Sequence, residues 1–344
     1  MLMSRLSLGY TPMPHTAFVR SSALKLALCC SLAAMSLAVR SAPAPTDPWP
    51  YAVAHAARLN PDARIVVLDI ASGRLLASTN LPEAARTLAA PGSTLKPLLL
   101  YSLIASHRWD PDRRIACSRN LHIAGRSLNC SHPPLPNPPN ATEALTWSCN
   151  TYFAALAASI PPSQLRPLLA PTGLLGQTGL APAEATAFFR DPATISDDQL
   201  TALGVDGVRV TPLELAAAYR WLALQLADHP DSAAAQVLLS GLADSASFGI
   251  AGQASLGGVP VAGKTGTANL GPGTPSHGWF VGFAPATPHT PYPTPHTPNP
   301  AVVLCIYLPS GHGADAARVA ADVLAHSPLA NSAQVHDPLG QARP

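Results

Sequence analysis

The chain has 344 residues, 47% of them hydrophobic and 12% charged, with a formal charge of +2. That apolar content is enough for a substantial core and excludes an intrinsically disordered chain in spite of 38 prolines. The near-neutral balance leaves no basic footprint, and 6% aromatic content leaves few stacking platforms, so nucleic acid is excluded as a partner.

Residues 1–41 carry Arg5, Arg20, Lys25 and Arg40 and no acidic residue. An apolar run from Leu26 to Val39 follows, then Ser-Ala-Pro-Ala-Pro. This is the order of a secretory signal: basic region, short apolar region, small residues. The apolar run has 14 residues, whereas spanning a bilayer takes about 20. Cleavage near Ser41 or Ala42 is therefore expected, with an uncleaved anchor as the alternative and the only expected membrane attachment. Either way the remainder is expected to be exported, to a periplasm or to the outer face of the cytoplasmic membrane. Losing four basic residues would take it to about −2. A proline-rich linker and a short helix fill 42–59.

From residue 60 to 327 the pattern predicts one mixed domain. Arg64–Ile70 reads as a buried strand, and Ala71-Ser-Gly turns the chain into a second strand, Arg74–Ser78. Pro91-Gly92 opens a helix over Ser93–Ser106, and Thr142–Ala158 reads as another. Thr211 as cap and Pro212 at the first helical position start a third. Strands return at Pro260–Thr267, Gly278–Ala284 and Ala301–Leu308, before a helix over Ala314–His326. Strands at both ends with helices between predict an α/β domain of the α+β type. Its sheet is mainly antiparallel, completed by both termini, flanked by helices, with an all-helical middle. Residues 286–300, where Thr-Pro-His-Thr-Pro occurs twice, read as a Pro/Thr/His-rich loop insertion, with His289 and His296 solvated. Residues 328–344 read as a flexible tail.

Export changes the reading of the cysteines, since Cys117, Cys130, Cys149 and Cys305 would meet an oxidising compartment. Cys117 and Cys130 flank a segment that looks like a hairpin turning at Gly125, so a disulfide between them is a candidate. It would add about 3 kcal/mol for a loop of this size. No close Cys-x-x-Cys pair lies outside the signal, so neither a metal nor any other cofactor is expected.

Only three of the 21 basic residues are lysines: Lys25, Lys96 and Lys264. Arginine never gives up its proton at ordinary pH, whereas a desolvated lysine can. The two post-signal lysines fall in two of three short motifs: Ser93-Thr-Leu-Lys96, Ser148-Cys-Asn150 and Lys264-Thr-Gly266. Ser93 and Lys96 are three apart at a helix start, on one face, so the amine can reach the hydroxyl. A serine is a weak nucleophile until a base takes its proton. A lysine is such a base only when burial or a nearby cation depresses its pKa, and Lys264 is a candidate for that cation. Each motif alone is weak; the three in this order are a strong signal.

With these motifs the chain resembles the penicillin-binding protein and serine β-lactamase superfamily. Ala90-Pro-Gly-Ser-Thr-Leu-Lys-Pro97, Ser148-Cys-Asn-Thr-Tyr-Phe153, Val210-Thr-Pro-Leu-Glu-Leu-Ala216 and Gly263-Lys-Thr-Gly-Thr-Ala268 resemble transpeptidase domains more than lactamases, as does His277-Gly-Trp-Phe-Val-Gly-Phe-Ala-Pro285. The resemblance covers about residues 60–325 and implies a peptidoglycan DD-transpeptidase with a β-lactamase-like fold. Ser93 would attack the D-Ala-D-Ala carbonyl of a stem peptide, Lys96 would take its proton, and Ser148 would relay a proton to the leaving amine. Asn150 would hold the substrate amide. Lys264, Thr265 and Thr267, around Gly266, would orient the terminal carboxylate. The N–H groups of Ser93 and Thr267 would form the oxyanion hole. Stem peptides and β-lactams are the implied ligands, and a separate glycan polymerase is a candidate partner.

Two rivals remain at this point. A serine β-lactamase needs a group to activate water, yet none of Glu83, Glu143, Glu184 and Glu214 sits in a Glu-x-x-Leu-Asn context. Water as the acceptor would also make the enzyme a DD-carboxypeptidase. A non-catalytic β-lactam sensor would need a membrane-spanning transmitter.

Overall fold

The computed structural model describes residues 48–269, 274–285 and 301–333. The chain divides into units 1–46 and 47–344, and all described residues lie in the second. The signal, the start of the linker and the 286–300 loop with its two histidines lie outside the described residues.

Helix α1 (Pro48–Leu59) begins within the expected linker. The hairpin follows as β1 (Arg64–Asp69) and β2 (Leu75–Ser78), then α2 (Leu81–Arg86). A 3-10 turn, Gly92–Leu95, leads directly into α3 (Lys96–Ala105). A two-stranded ribbon, β3 (His122–Ile123) and β4 (Arg126–Ser127), turns through Ala124 and Gly125, both with positive φ. That is the backbone a two-residue hairpin loop requires. The helical middle comprises α4 (Ala141–Thr146), α5 (Asn150–Ala158), α6 (Leu165–Leu169), α7 (Ile195–Ala202), α8 (Pro212–Asp228) and α9 (Ala233–Ser247), with a second ribbon, β5 (Phe188–Phe189) and β6 (Val208–Arg209). The chain then returns as β7 (Ala262–Asn269), β8 (Ser276–Ala284), β9 (Val302–Leu308), α10 (Gly313–Ala325) and α11 (Pro328–Ala333).

The main sheet has the order β2-β1-β9-β8-β7, antiparallel throughout, so strands from the two ends of the domain meet at β1 and β9. Alternation along the strands assigns the two faces. Ile65, Val67, Leu304, Ile306 and Phe280 pack with α1 and α10. Val66, Cys305 and Val281 belong to the larger core shared with the helical middle, where α3 is apolar on every side. Lys264 is in register with Val281, which is in register with Cys305, so it stands on that second face. Here β7 is the sheet's edge strand and borders the helical middle.

The mixed antiparallel architecture agrees with the expectation from the sequence, but the middle is not all helical, since the two short ribbons β3–β4 and β5–β6 lie in it, and two boundaries differ. Pro328–Ala333, expected to be tail, is helical, because Leu329 is buried against the core on the α1 and α10 side. The helix expected over Thr142–Ala158 is broken into α4 and α5 at Trp147–Cys149. Ser148 has φ +56° there, a left-handed conformation that no helix interior contains. The break is where the second motif lies.

Candidate active site

The nucleophile turn is gripped from three directions. Capping of α8 follows the sequence reading: Thr211 Oγ1 accepts from the Glu214 N–H at 3.1 Å, and Glu214 Oε2 accepts from the Thr211 N–H at 2.7 Å. The residue before this cap, Val210, exchanges both backbone hydrogen bonds with Ala89. Two turns along α8, Tyr219 Oη donates to the Thr94 carbonyl at 2.9 Å. From β8, His277 Nε2 and Trp279 Nε1 both donate to the Ala90 carbonyl, at 2.8 and 2.9 Å. Burial lowers the His277 pKa, which keeps the ring a neutral donor. From β7, Gly266 lies directly against the turn: a Cβ there would sit 2.4 Å from the Pro91 carbonyl oxygen. Gly92, with φ +55°, meets Thr267 in the same way, at 2.9 Å from its N and O. Third-motif and first-motif backbones therefore touch through two glycines.

Ser93 is half-buried and its hydroxyl faces a cleft of about 460 Å³, which Ser148, Asn150, Thr265 and Thr267 also line. Lys96 is wholly buried. Its Nζ reaches the Ser148 carbonyl at 2.9 Å, Ser148 Oγ at 3.2 Å and Asn150 Oδ1 at 2.6 Å, and lies 5.0 Å from the centre of the Phe153 ring. Among the described residues no hydrogen bond joins it to Ser93 Oγ; the amine is held by the second motif. Burial brings its pKa down to about 8, against a smaller opposing effect of Cys149 and Cys130.

Lys264 is also wholly buried, and its Nζ donates to the Thr265 carbonyl at 3.0 Å. Its pKa lies well below the usual lysine value, through burial first and the Lys96 charge second. The expectation that Lys264 would depress Lys96 is therefore reversed: desolvation acts on Lys96, and the like-charge effect falls on Lys264.

Asn150 is a strut as well as a wall residue. Its Oδ1 takes the Lys96 proton bond, and its Nδ2 donates to the Leu128 carbonyl at 3.0 Å, just after β4. The second hydrogen of that nitrogen meets the Asn129 carbonyl only at 3.4 Å, so it is the one a substrate carbonyl could take. Thr267 is exposed, and its Oγ1 accepts from the Gly313 N–H at 2.9 Å, which brings the first turn of α10 to the rim.

Cys117, Cys130, Cys149 and Cys305 are free thiols, so the expected Cys117–Cys130 disulfide is not formed. The two sulfurs lie 3.5 Å apart, in van der Waals and hydrogen-bonding range. A hydrogen bond from Cys149 holds Cys130 well below the usual thiol range, while Cys149, sharing that proton and buried, is pushed up.

Sequence reasoning missed several participants. The anchoring roles of Tyr219, His277 and Trp279, and the Leu128 wall, have no motif of their own; only the placement of His277 and Trp279 in a family-like stretch flagged them.

A helix-start serine, a buried lysine with a lowered pKa, and an edge strand carrying Lys-Thr-Gly around one cleft define a serine–lysine site. The family model for the penicillin binding protein transpeptidase domain matches residues 63–325, and the chain belongs to that family. Comparison with curated protein sequences returns no match. Many solved structures resemble the chain, among them the following three. The apo transpeptidase domain of Burkholderia pseudomallei penicillin-binding protein 3 aligns with a TM-score of 0.65 at 18% identity, covering 86% of this chain and 95% of that one. A peptidoglycan glycosyltransferase from Burkholderia ambifaria gives 0.65 at 18% identity, covering 86% and 97%. A chain of a peptidoglycan synthase complex that coordinates polymerization and crosslinking gives 0.62 at 22% identity, covering 86% and 61%. These likenesses show the fold.

Proposed function

We propose that the chain is an exported peptidoglycan DD-transpeptidase in which Ser93 is acylated by the D-Ala-D-Ala stem peptide. The observation that carries this reading is that Ser93, Ser148, Thr265 and Thr267 line one cleft, with the buried Lys96 amine held against Ser148 behind it and Lys264 buried in the strand that carries the two threonines. Lys96 in its neutral form takes the Ser93 proton as Oγ attacks the penultimate D-Ala carbonyl. Ser148, which touches Lys96, passes a proton to the leaving D-Ala nitrogen as the peptide bond breaks. The ester on Ser93 is then attacked by an acceptor amine of a second stem peptide, which restores the serine and forms the cross-link. The N–H groups of Ser93 and Thr267 hold the developing oxyanion, where one donor is worth about 3 kcal/mol. The first turn of α10 beside Thr267, with the hydroxyls of Thr265 and Thr267, suits the terminal carboxylate.

One feature favours an amine over water as acceptor. No Asp or Glu lines the cleft among the described residues, and Glu214 is buried on Thr211 and Ala187. The acyl-enzyme then has no carboxylate to activate water, and a penicillin adduct persists. A separate glycan polymerase would supply the strands, and residues 1–41 the export signal.

The test is to incubate the mature protein with a pentapeptide and a D-amino acid acceptor and to analyse the products. Exchange of the terminal D-Ala for the acceptor supports the transpeptidase. Hydrolysis alone makes the chain a carboxypeptidase. Rapid turnover of a chromogenic cephalosporin makes it a lactamase. A stable adduct with no peptide reaction makes it a sensor.

A further inference from the structure

Beside the active site the structure gathers four side chains that the mechanism does not use. Cys117 Sγ, Cys130 Sγ, His132 Nε2 and Cys149 Sγ all lie within 4.8 Å of one another. They come from separate segments: the loop entering the β3–β4 ribbon, the stretch leaving it, and the turn between Ser148 and Asn150. We propose that these four residues bind one zinc ion in a closed, structural Cys3His site that fixes the Ser148–Asn150 turn to the ribbon.

The spacing of the donors carries the proposal. Zinc bonds of about 2.3 Å to sulfur and 2.0–2.1 Å to nitrogen, at tetrahedral angles, put neighbouring sulfurs about 3.7 Å apart and sulfur about 3.5 Å from nitrogen. Here Cys117 and Cys130 are separated by 3.5 Å, Cys130 and Cys149 by 3.8 Å, and Cys117 and His132 Nε2 by 3.6 Å. Three edges thus have the lengths of a coordination tetrahedron, and the other three are no longer than 4.8 Å. Each S···S distance alone is ordinary contact; it is the convergence of three sulfurs and an imidazole nitrogen from separate segments that points to a metal.

The surroundings fit as well. His132 Nδ1 lies 2.7 Å from the Pro133 carbonyl, which only accepts, so Nδ1 carries the proton and Nε2 presents a lone pair toward the sulfurs. A carbonyl behind the second ring nitrogen is the usual outer support of a metal-bound histidine. Cys130 Sγ accepts the Asn150 N–H at 3.2 Å, so a backbone donor already faces that sulfur, and the Thr151 hydroxyl, which accepts from the Cys117 thiol at 3.6 Å, lies 3.8 Å from Cys130 Sγ. His132 is 1% exposed, Cys130 6% and Cys149 0%. Sulfur and imidazole donors with no carboxylate favour zinc over calcium, magnesium or manganese. Four protein ligands leave no open position, which makes the ion structural. Binding would release the remaining thiol protons to solvent. No Cys-x-x-Cys spacing announced it, because the donors are brought together only by the fold.

Zinc and the Cys117–Cys130 disulfide exclude each other, since the disulfide would consume two ligands. The test uses the full chain, purified under reducing conditions on a metal-free column. Metal content is measured by plasma mass spectrometry, and cobalt is then titrated into stripped protein. The expected result is one zinc per chain, and for cobalt the sulfur charge-transfer and visible bands of a tetrahedral thiolate site. In C117S and H132A zinc retention falls by roughly tenfold or more, while C305A, which alters a cysteine in β9, keeps it. Should the ligand variants fail to fold, the cobalt spectrum of the unaltered chain decides alone. Folded, reduced chain that takes up neither metal overturns the proposal. So does metal retained equally by C117S and H132A, or a Cys117–Cys130 disulfide in protein recovered from its native compartment.

Discussion

The floor and the wall of the cleft are built differently. The floor, from Ala89 through the Ser93 turn, is tied to strands as well as side chains: the backbone exchange with Val210, strand β7 pressed against it through Gly92 and Gly266, and a carbonyl gripped by the His277 and Trp279 side chains. The wall at Ser148–Asn150 is a break between two helices whose own backbone bonds run to those helices; what ties it to the rest of the site is side chains: the Lys96 amine, the Asn150 amide and the sulfur of Cys130. Lys96 joins them, rooted at the start of α3 and using its amine on the wall. The nucleophile is thus fixed by elements that also fix the fold, whereas the groups that move protons depend on a few polar contacts. Substitutions in the wall should cost rate, and substitutions in the floor should cost stability.

The largest expected separation is at Lys96. Lys96→Met removes the amine and keeps an apolar stem, and acylation by a β-lactam should slow by roughly 10²- to 10⁴-fold. Its melting temperature should move less than the rate, because the desolvation cost of keeping a buried amine offsets the donor lost by the Ser148 carbonyl and Asn150 Oδ1. Stopped-flow labelling with a fluorescent penicillin, read beside a thermal melt, checks this; a large loss of stability with unchanged rate would place Lys96 in the floor.

Next is the pH profile. The reactive form is the neutral amine, whose fraction rises with pH up to the Lys96 pKa of about 8 and then levels. Between pH 6 and pH 8 the acylation rate should therefore climb by about 50-fold, ten-fold per unit at the acid end. A flat or falling profile would assign the base elsewhere.

Gly266→Ala should act on the floor. The added methyl meets the Pro91 carbonyl, a backbone atom that cannot swing away. A loss of about 1–3 kcal/mol in denaturant unfolding is expected, together with slower labelling. The smallest effect on labelling is that of Tyr219→Phe, which leaves the buried Thr94 carbonyl without its donor. It should cost about 1–3 kcal/mol of stability and change labelling less than Lys96→Met does.

The division also explains how much was legible in the sequence. The floor was largely readable: a hairpin of apolar runs, a Thr-Pro cap before α8, and Ser-x-x-Lys and Lys-Thr-Gly in segments whose period announces helix and strand. The wall was not. Thr142–Ala158 has small and apolar residues throughout, and nothing in its period shows that Ser148 takes a left-handed conformation; contacts from Lys96 and the ribbon impose it. Helix α9, rich in alanine and serine, and the two-residue strands of the ribbons carry too little pattern to stand out. The hairpin pattern marks Cys117 and Cys130 as neighbours, but the sequence does not show that His132 and Cys149 close on them, since 16 residues that include a helix separate that pair.

The central claim is that Ser93 is the group acylated. Intact-mass measurement of the chain with benzylpenicillin, followed by peptide mapping, tests it directly. The account predicts a single long-lived adduct on the peptide containing Ser93, absent from Ser93→Ala. An adduct on another residue, or undiminished labelling of Ser93→Ala, would contradict it.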